Sequence, residues 1–213
     1  MSDDAPELPD LPARAFAKVD TESDDRFYDM PRFGTHIDDA AIAGVTRLYR
    51  ELFPSGGTVL DLMGSWVSHL PPDIAYGAVI GHGMNGEELA GNPHYGRWFV
   101  HDLNADPRLP LDSGSVDAIG LCVSIQYLQR PVTVMRDVLR VLKPDGVIAI
   151  TFSNRCFPTK AVAIWQSIEM GEHPRLVSAY LQQAGFPSVE ARTLIPDSGP
   201  GDPLWAVIGR KIA

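Results

Sequence analysis

From residue 38 onward, the hydrophobic positions alternate between a spacing typical of amphipathic helices and short runs typical of buried strands. Apolar residues between Ala41 and Phe53 recur at helical spacing, with Asp38 or Asp39 placed to cap the helix. The same spacing predicts helices near residues 132–142, 161–168 and 176–184. Apolar runs bounded by Pro, Gly and Asn predict strands at 58–63, 76–80, 97–101, 116–123, 147–152, 189–195 and 204–210.

This alternation predicts an α/β fold: a Rossmann-like, mostly parallel seven-stranded sheet with helices on both faces. The last two strands are separated by Pro196 to Pro203 alone, which predicts an antiparallel C-terminal hairpin at one edge of the sheet. In open α/β sheets, ligands bind beyond the carboxyl ends of the strands, where the strand order reverses. The segments that follow the strands are therefore the candidate ligand loops.

Composition narrows the class of protein. The chain has 213 residues, of which 45% are hydrophobic and 21% charged, as expected for one globular domain. Two cysteines, Cys122 and Cys156, are too few for a disulfide scaffold, and no histidines have metal-ligand spacing. No metal is expected. No apolar run approaches the length of a membrane span, and no secretory signal opens the sequence, so a cytoplasmic protein is expected. The oligomeric state is not determined by the sequence.

Acidic residues are concentrated at the N-terminus. The net charge is −9, and residues 1–25 hold eight acids against Arg14 and Lys18, a balance of −6. Such a segment predicts a mobile acidic tail over residues 1–25. Residues 26–213 then form the domain, beginning with a cap segment and helix over 26–56. No basic stripe is present, so a small-molecule substrate is expected rather than nucleic acid or a membrane.

Two carboxylates mark strand ends. Asp61 closes the first predicted strand, where an unpaired charge is costly; it either caps the following turn or organises a ligand. Residues 81–86 form a G-x-G-x-x-G sequence after the second strand, and Asp102 ends the third. That pattern has the form of a dinucleotide-binding fingerprint, although such a fingerprint normally follows the first strand. An NAD(P)-dependent oxidoreductase is therefore one alternative.

A second interpretation comes from three longer segments. Val59-Leu60-Asp61-Leu62 followed by Gly64-Ser65, the stretch at 109–117, and above all Leu139-Arg140-Val141-Leu142-Lys143-Pro144-Asp145-Gly146-Val147-Ile148-Ala149-Ile150 resemble the class I S-adenosylmethionine-dependent methyltransferases. The resemblance covers about 150 residues. It implies S-adenosyl-L-methionine as cofactor and methyl transfer to a small-molecule acceptor. A non-catalytic S-adenosylmethionine-binding protein that keeps the fold is the other alternative.

The resemblance also implies roles for individual residues, grouped by the part of the cofactor that each would face. For the methionine amine and carboxylate they are Asp61, Met63, Gly64, Ser65 and Trp66; for the ribose, Gly83, Met84 and Asn85; for adenine, Asp102 and Leu103; and under the methionyl end, Cys122, Val123 and Ser124. Two departures from the family stand out. Met63, Ser65 and Val67 replace usual glycines, and the ribose-binding acid is absent at Gly83, where Asn85, Glu87 or Glu88 could substitute.

Three residues are candidates for chemistry on the acceptor. His36 lies in the polar-aromatic segment 28–36, which the resemblance places over the active site; it is either a titratable catalytic group or a histidine of a surface loop. Tyr127 follows the fourth strand, where the family places substrate-facing residues. Arg155 follows the fifth strand and could hold an anionic substrate.

Overall fold

The computed structural model describes residues 7–212, which contain one seven-stranded sheet. Its strands are β1 (Thr58–Asp61), β2 (Ala78–Gly83), β3 (Arg97–Val100), β4 (Val116–Cys122), β5 (Leu142–Phe152), β6 (Ser188–Ile195) and β7 (Leu204–Arg210). Their order is β3-β2-β1-β4-β5-β7-β6. β1 to β5 pair in parallel, and β7 runs antiparallel to both β5 and β6. The predicted sheet and its C-terminal hairpin are confirmed.

The described part of the chain contains six α-helices: α1 (Asp24–Tyr28), α2 (Asp39–Leu52), α3 (Gly86–Ala90), α4 (Pro131–Val141), α5 (Ala163–Ser167) and α6 (His173–Ala184). The side chain of Asp38 accepts a hydrogen bond from the Ala41 N–H, as a capping residue should. Gly185 ends α6 in the left-handed conformation, with φ of 100°. No helix within residues 7–212 is long and apolar enough to cross a membrane.

Alternate residues of the central strands face two separate cores. On one face, α2 packs Val45 and Tyr49 against Val59 and Ala149. On the other, helices α4 to α6 cover residues such as Ile119. Strands buried on both faces explain why β1, β4 and β5 consist of nearly continuous apolar residues.

The N-terminal segment differs from the prediction. Residues 1–6 of the predicted mobile tail lie outside the described residues, but residues 7–25 pack on the domain. Phe16 is buried in the larger core, and Lys18 and Asp24 form a buried ion pair at 2.5 Å. Glu7 accepts hydrogen bonds from the Val132 and Thr133 amides at the start of α4. The acidic composition predicted a mobile tail because a count of charges does not show that these acids have buried cationic and backbone partners.

The strand order reverses between β1 and β4. β2 and β3 lie on one side of β1, whereas β4 and β5 lie on the other. All five strands are parallel, so their carboxyl ends meet at one edge of the sheet. That edge is where a ligand site is expected in this class of fold.

Candidate functional site

A cavity of about 350 Å³ lies at the carboxyl ends of β1, β2, β3, β4 and β5. Its floor is formed by the residues that end these strands. The segment around residues 24–36 forms its opposite wall. The size lies at the lower end of the range for small-molecule pockets. The N-terminal segment and the sheet edge together enclose the cavity.

Fifteen of the sixteen residues singled out from the sequence line this cavity. They are His36, Asp61, Met63, Gly64, Ser65, Gly83, Met84, Asn85, Asp102, Leu103, Cys122, Val123, Ser124, Tyr127 and Arg155. Trp66 is the exception and needs correction. Its indole N–H donates to the Gly34 carbonyl at 3.1 Å and its ring packs on Phe33, so it fastens the wall instead of facing a ligand.

Asp61 is buried and is held by two hydroxyl groups. The Ser68 Oγ donates to Asp61 Oδ2 at 2.6 Å, and the Tyr95 phenol donates to the same oxygen at 2.8 Å. Burial raises the pKa of the Asp61 carboxyl, and the two hydroxyls oppose that shift. No hydrogen bond from any of the residues 7–212 reaches Oδ1. One carboxylate oxygen is therefore available to the cavity.

Two non-glycine residues with strained backbones flank the point where the strand order reverses. Met63, after β1, has φ of 55°, and Val123, after β4, has φ of 46°. A β-branched residue is a genuine outlier in this region. The Ser124 hydroxyl lies 3.2 Å from the Met63 carbonyl and joins the two loops. Such strain clusters at ligand sites, where it fixes loop geometry.

His82 ties three strand ends together beneath the cavity. Its Nδ1 accepts the Met63 N–H at 3.0 Å, and its Nε2 lies 2.9 Å from the His101 carbonyl. This pairing requires the neutral tautomer that carries its proton on Nε2. Burial lowers the pKa of His82 to about 4. The strained loop after β1 therefore rests on a neutral imidazole.

The end of β2 carries no acid, and the nearest substitutes behave differently. Both polar atoms of the Asn85 side chain are engaged: the carbonyl caps α3 and the amide donates to the Tyr28 and Asp29 carbonyls. Glu87 is exposed and does not line the cavity. Glu88 is buried and lines it, with Oε1 accepting the Arg32 N–H at 2.7 Å and Oε2 the Ser65 hydroxyl at 2.5 Å. Glu88 is thus the carboxylate on this side of the cavity, and each oxygen keeps a second lone pair.

The β3 end connects the cavity to the N-terminal segment. Asp102 Oδ1 accepts the Asn104 N–H at 2.8 Å. The Asn104 amide in turn donates to Asp24 Oδ2 at 2.9 Å and to the Tyr127 carbonyl at 3.0 Å. Lys160, whose side chain is fully buried, lies 3.2 Å from the other Asp24 oxygen. A chain of polar contacts therefore runs from the cavity into the packed N-terminal segment.

The three candidates for acceptor chemistry lie in different surroundings. The His36 ring packs edge-on against Phe157 at 5.7 Å between centroids, and removal from water lowers the pKa of His36. The Tyr127 hydroxyl accepts the Phe157 N–H at 2.9 Å, and burial raises the pKa of Tyr127 to about 12. Arg155 is paired with Asp202 at 2.7 Å, so its guanidinium is already partly neutralised by an acid of the chain.

Sequence reasoning missed several residues of the cavity. Phe157 is central, since it also contacts Phe27 and Tyr127. His69 lines the cavity, and burial lowers its pKa to about 4. The Tyr49 hydroxyl is buried without a hydrogen-bond partner among the described residues. Tyr49 belongs to the apolar face of α2, so its helical spacing indicated core packing and gave no sign of a polar role.

The G-x-G-x-x-G sequence does not form a dinucleotide-binding turn. Gly81 and Gly83 lie inside β2, paired in parallel with β1 and β3. The dinucleotide fingerprint requires a turn between the first strand and a helix. The oxidoreductase alternative thus loses the motif on which it depended.

Comparison with known proteins agrees with this geometry. The family model described as "Methyltransferase domain" matches residues 82–150. That range runs from the end of β2 almost to the end of β5 and includes the loops after β3 and β4. No curated protein matches the chain.

Solved structures extend the likeness to most of the chain. The [4+2]-cyclase SpnF is similar with a TM-score of 0.63 at 15% identity, covering 86% of this chain and 89% of that one. An S-adenosylmethionine-dependent methyltransferase from Archaeoglobus fulgidus has a TM-score of 0.58 at 14% identity, covering 81% and 95%. The phosphoethanolamine N-methyltransferase 2 of Haemonchus contortus, in complex with S-adenosyl-L-methionine, gives 0.57 at 13%, covering 80% and 52%. The chain has the class I S-adenosylmethionine-dependent methyltransferase fold, and the predicted resemblance is confirmed.

The residues present fit the cofactor that this family and fold support. S-adenosylmethionine offers an ammonium, a carboxylate, two ribose hydroxyls and an adenine amino group as polar features. Asp61 Oδ1 is suited to the ammonium, Glu88 to the ribose hydroxyls, and Asp102 to the adenine amino group. The cavity lining therefore carries an acceptor for each donor of the ligand.

Proposed function

We propose that this protein binds S-adenosylmethionine in the cavity and transfers its methyl group to a small-molecule acceptor. The observation that carries the proposal is the pair formed by Asp61 and Asp102. Asp61 ends β1 and Asp102 follows β3, on the two sides of β2, and both line the cavity of about 350 Å³. S-adenosylmethionine supplies, when bound, a methyl group on a sulfonium centre. The wall opposite the floor must then admit the acceptor.

The acceptor is proposed to be small because the N-terminal segment restricts the cavity. The Glu88 carboxylate fastens this segment through the Arg32 N–H, and the Asn85 amide fastens it through the Tyr28 and Asp29 carbonyls. With those anchors in place, the remaining space is bounded by side chains of the wall and of the loop after β5. A polymer would have to displace several of these contacts, whereas a small molecule would not.

His36 is the proposed general base for an acceptor that carries a proton. Its side chain is exposed at one side, and partial desolvation against Phe157 lowers the pKa of His36 from its usual value, which favours the neutral ring near pH 7. A neutral imidazole can take the proton that a hydroxyl or ammonium acceptor must lose. Tyr127 and Phe157 orient the acceptor and exclude water.

Cofactor binding is tested by calorimetric titration with S-adenosylmethionine, S-adenosylhomocysteine and the nicotinamide dinucleotides. The first two should bind and the dinucleotides should not. Asp61→Asn should weaken S-adenosylhomocysteine binding by about tenfold, since a charge-assisted hydrogen bond contributes roughly 1.5 kcal/mol or more. If neither adenosyl ligand binds, the proposal is wrong. Binding of a nicotinamide dinucleotide would instead support the oxidoreductase alternative.

The role of His36 is tested on an acceptor found by screening small molecules with labelled S-adenosylmethionine. His36→Ala should lower turnover while leaving cofactor affinity within about twofold, because the lost contact belongs to the acceptor or transition state. The acidic limb of the pH–rate profile should lie below pH 6.5 in the wild type and vanish in the variant. Normal turnover in His36→Ala would remove the residue from the mechanism. Tight cofactor binding with no methyl transfer to any acceptor would favour a non-catalytic binding protein.

We also propose a reducing, cytoplasmic setting. Both cysteines, Cys122 and Cys156, are free thiols in the structure. Burial raises the pKa of the Cys122 thiol to about 12, so this group is unreactive. Free cysteines beside a ligand cavity are compatible with a reducing compartment.

A further inference from the structure

The Tyr95 side chain contacts Asp61, although Tyr95 does not belong to any of the loops that follow the strands. It follows α3 and lies in the turn before β3, a stretch with no place among the motifs of the sequence. Its phenol hydroxyl nevertheless ends 2.8 Å from Asp61 Oδ2. The side chain is largely buried and passes between two glycines on its way.

Those two glycines create the path for the ring. A Cβ at Gly81 would lie 2.3 Å from the Tyr95 ring, and a Cβ at Gly64 would lie 2.4 Å from its hydroxyl. Any larger residue at either position would displace the tyrosine. The glycines retained in this divergent loop region therefore make room for Tyr95.

A second hydroxyl and an amide complete the arrangement. Ser68 donates to the same Asp61 oxygen, and Asn92 Nδ2 lies 3.1 Å from the Ser68 Oγ. Asn92 also donates to the Ser65 carbonyl at 2.9 Å, which joins the loop after β1 to the turn after α3. Both hydroxyls converge on Oδ2, and no hydrogen bond from residues 7–212 reaches Oδ1.

We infer that Tyr95, assisted by Ser68, is a positioning residue that orients Asp61 so that Oδ1 receives the ammonium group of S-adenosylmethionine. This inference rests on the proposed cofactor. The two hydroxyls hold Asp61 through the same oxygen and so fix the rotation of its carboxylate. Tyr95 itself does not touch the ligand; it acts through Asp61.

The arrangement also has a pH signature. The groups that face Asp61 are Tyr95 and His94 from the turn after α3, Ser68 from the loop after β1, Tyr49 from α2 and Cys122 from β4. Hydroxyl donation favours the ionised carboxylate. Removing the Tyr95 hydroxyl therefore raises the pKa of Asp61, and the site loses its negative charge at a higher pH.

The test is Tyr95→Phe, which keeps the ring between the two glycines and removes only the hydroxyl. S-adenosylhomocysteine should bind about fivefold to tenfold more weakly at pH 7, a range set by one hydrogen bond to a charged group. Its loss of affinity at acid pH should begin about half a unit or more higher than in the wild type. Methylthioadenosine, which lacks the amino-acid end, should bind both proteins equally. Ser68→Ala should shift the profile in the same direction.

Tyr76→Phe is the matched control, because the Tyr76 hydroxyl is buried without a hydrogen-bond partner among the described residues. It should leave both affinities and the pH profile unchanged. An unshifted profile in Tyr95→Phe, or an equal loss of both ligands, would overturn the inference while leaving the proposed cofactor intact. Failure of the wild type to bind S-adenosylhomocysteine would instead remove the proposed function and this inference with it.

Discussion

At the scale of single residues, the site depends on buried charges whose partners come from distant parts of the chain. Lys160 has a fully buried side chain, with Nζ 3.1 Å from Asp20 and 3.2 Å from Asp24, and it donates to the Glu22 carbonyl at 2.8 Å. Asp24 also accepts from Lys18. Removal of one member leaves an uncompensated charge, which is much more costly than the loss of an exposed ion pair.

Lys160→Met should therefore lower the free energy of unfolding by about 3 kcal/mol, because Asp20 and Asp24 lose a desolvated cation. Urea unfolding followed by circular dichroism measures this change. Arg50→Met is the control: it breaks an ion pair with Asp73 in which both side chains are substantially exposed, and it should change the free energy of unfolding far less than Lys160→Met does. An equal loss of unfolding free energy in the two variants would show that the buried ion pairs of Lys160 stabilise the protein no more than an exposed pair does.

At the scale of elements, the segment ahead of α2 belongs to the domain. Glu7 supplies a carboxylate to the start of α4, where Arg130 at the N-cap position makes no side-chain capping bond. Its Oε1 accepts the Thr133 hydroxyl at 2.6 Å, and Oε2 accepts two backbone amides. An anion at a helix N-terminus satisfies free N–H groups and interacts favourably with the helix dipole.

Glu7→Gln should destabilise the protein by about 1 kcal/mol, the usual effect of losing a helix cap. Glu22→Gln makes the same chemical change in the same acidic segment, but Glu22 is exposed and meets Arg26 only at 3.7 Å. It should change stability by less than about 0.5 kcal/mol. Thermal melts of the two variants make the comparison. A Glu7 variant that melts like the Glu22 variant would show that the Glu7 carboxylate does not stabilise the start of α4.

The order of elements could be predicted because it depends on local periodicity, which the sequence shows directly. α2 and the C-terminal hairpin agree with the prediction to within one or two residues. β2 runs on to Gly83, past the expected end at residue 80, because Gly81 and His82 pair with β3. The glycines at positions 81, 83 and 86 favour a loop in the sequence, but pairing with β3 extends the strand through Gly83.

The site could be predicted where residues directly follow strands, and not where the partner is distant in sequence. Asp61 and Asp102 were found from their positions alone. Tyr95, Phe157 and Glu7 were not, since each acts on an atom at least 30 residues away. Such contacts depend on tertiary packing, which hydrophobic periodicity does not encode.

At the scale of the whole molecule, burial of neutral histidines links stability to pH. Burial lowers the pKa of both His82 and His69 to about 4 and lowers the pKa of His173 as well, and partial desolvation lowers the pKa of the more exposed His36. In the unfolded chain these groups take up protons near pH 6.5. Between pH 6.5 and 4 the unfolded state therefore binds more protons, and stability must fall as the pH falls. Burial raises the pKa of Asp61, so this one group acts in the opposite direction and favours the folded state as the pH falls.

We therefore expect the free energy of unfolding to drop between pH 7.5 and 5.5, with His82 alone contributing about 1 kcal/mol of the loss, because its pKa is lowered from 6.5 to about 4 in the folded protein. Urea titrations at the two pH values measure the difference. His82→Gln retains an acceptor and a donor but cannot titrate, so its stability should be lower at pH 7.5 and fall about 1 kcal/mol less on acidification. If the variant and the wild type lose the same free energy, His82 is not a buried neutral imidazole in solution. The loop carrying Met63 would then rest on some other group, since protonation of Nδ1 removes the acceptor for the Met63 N–H.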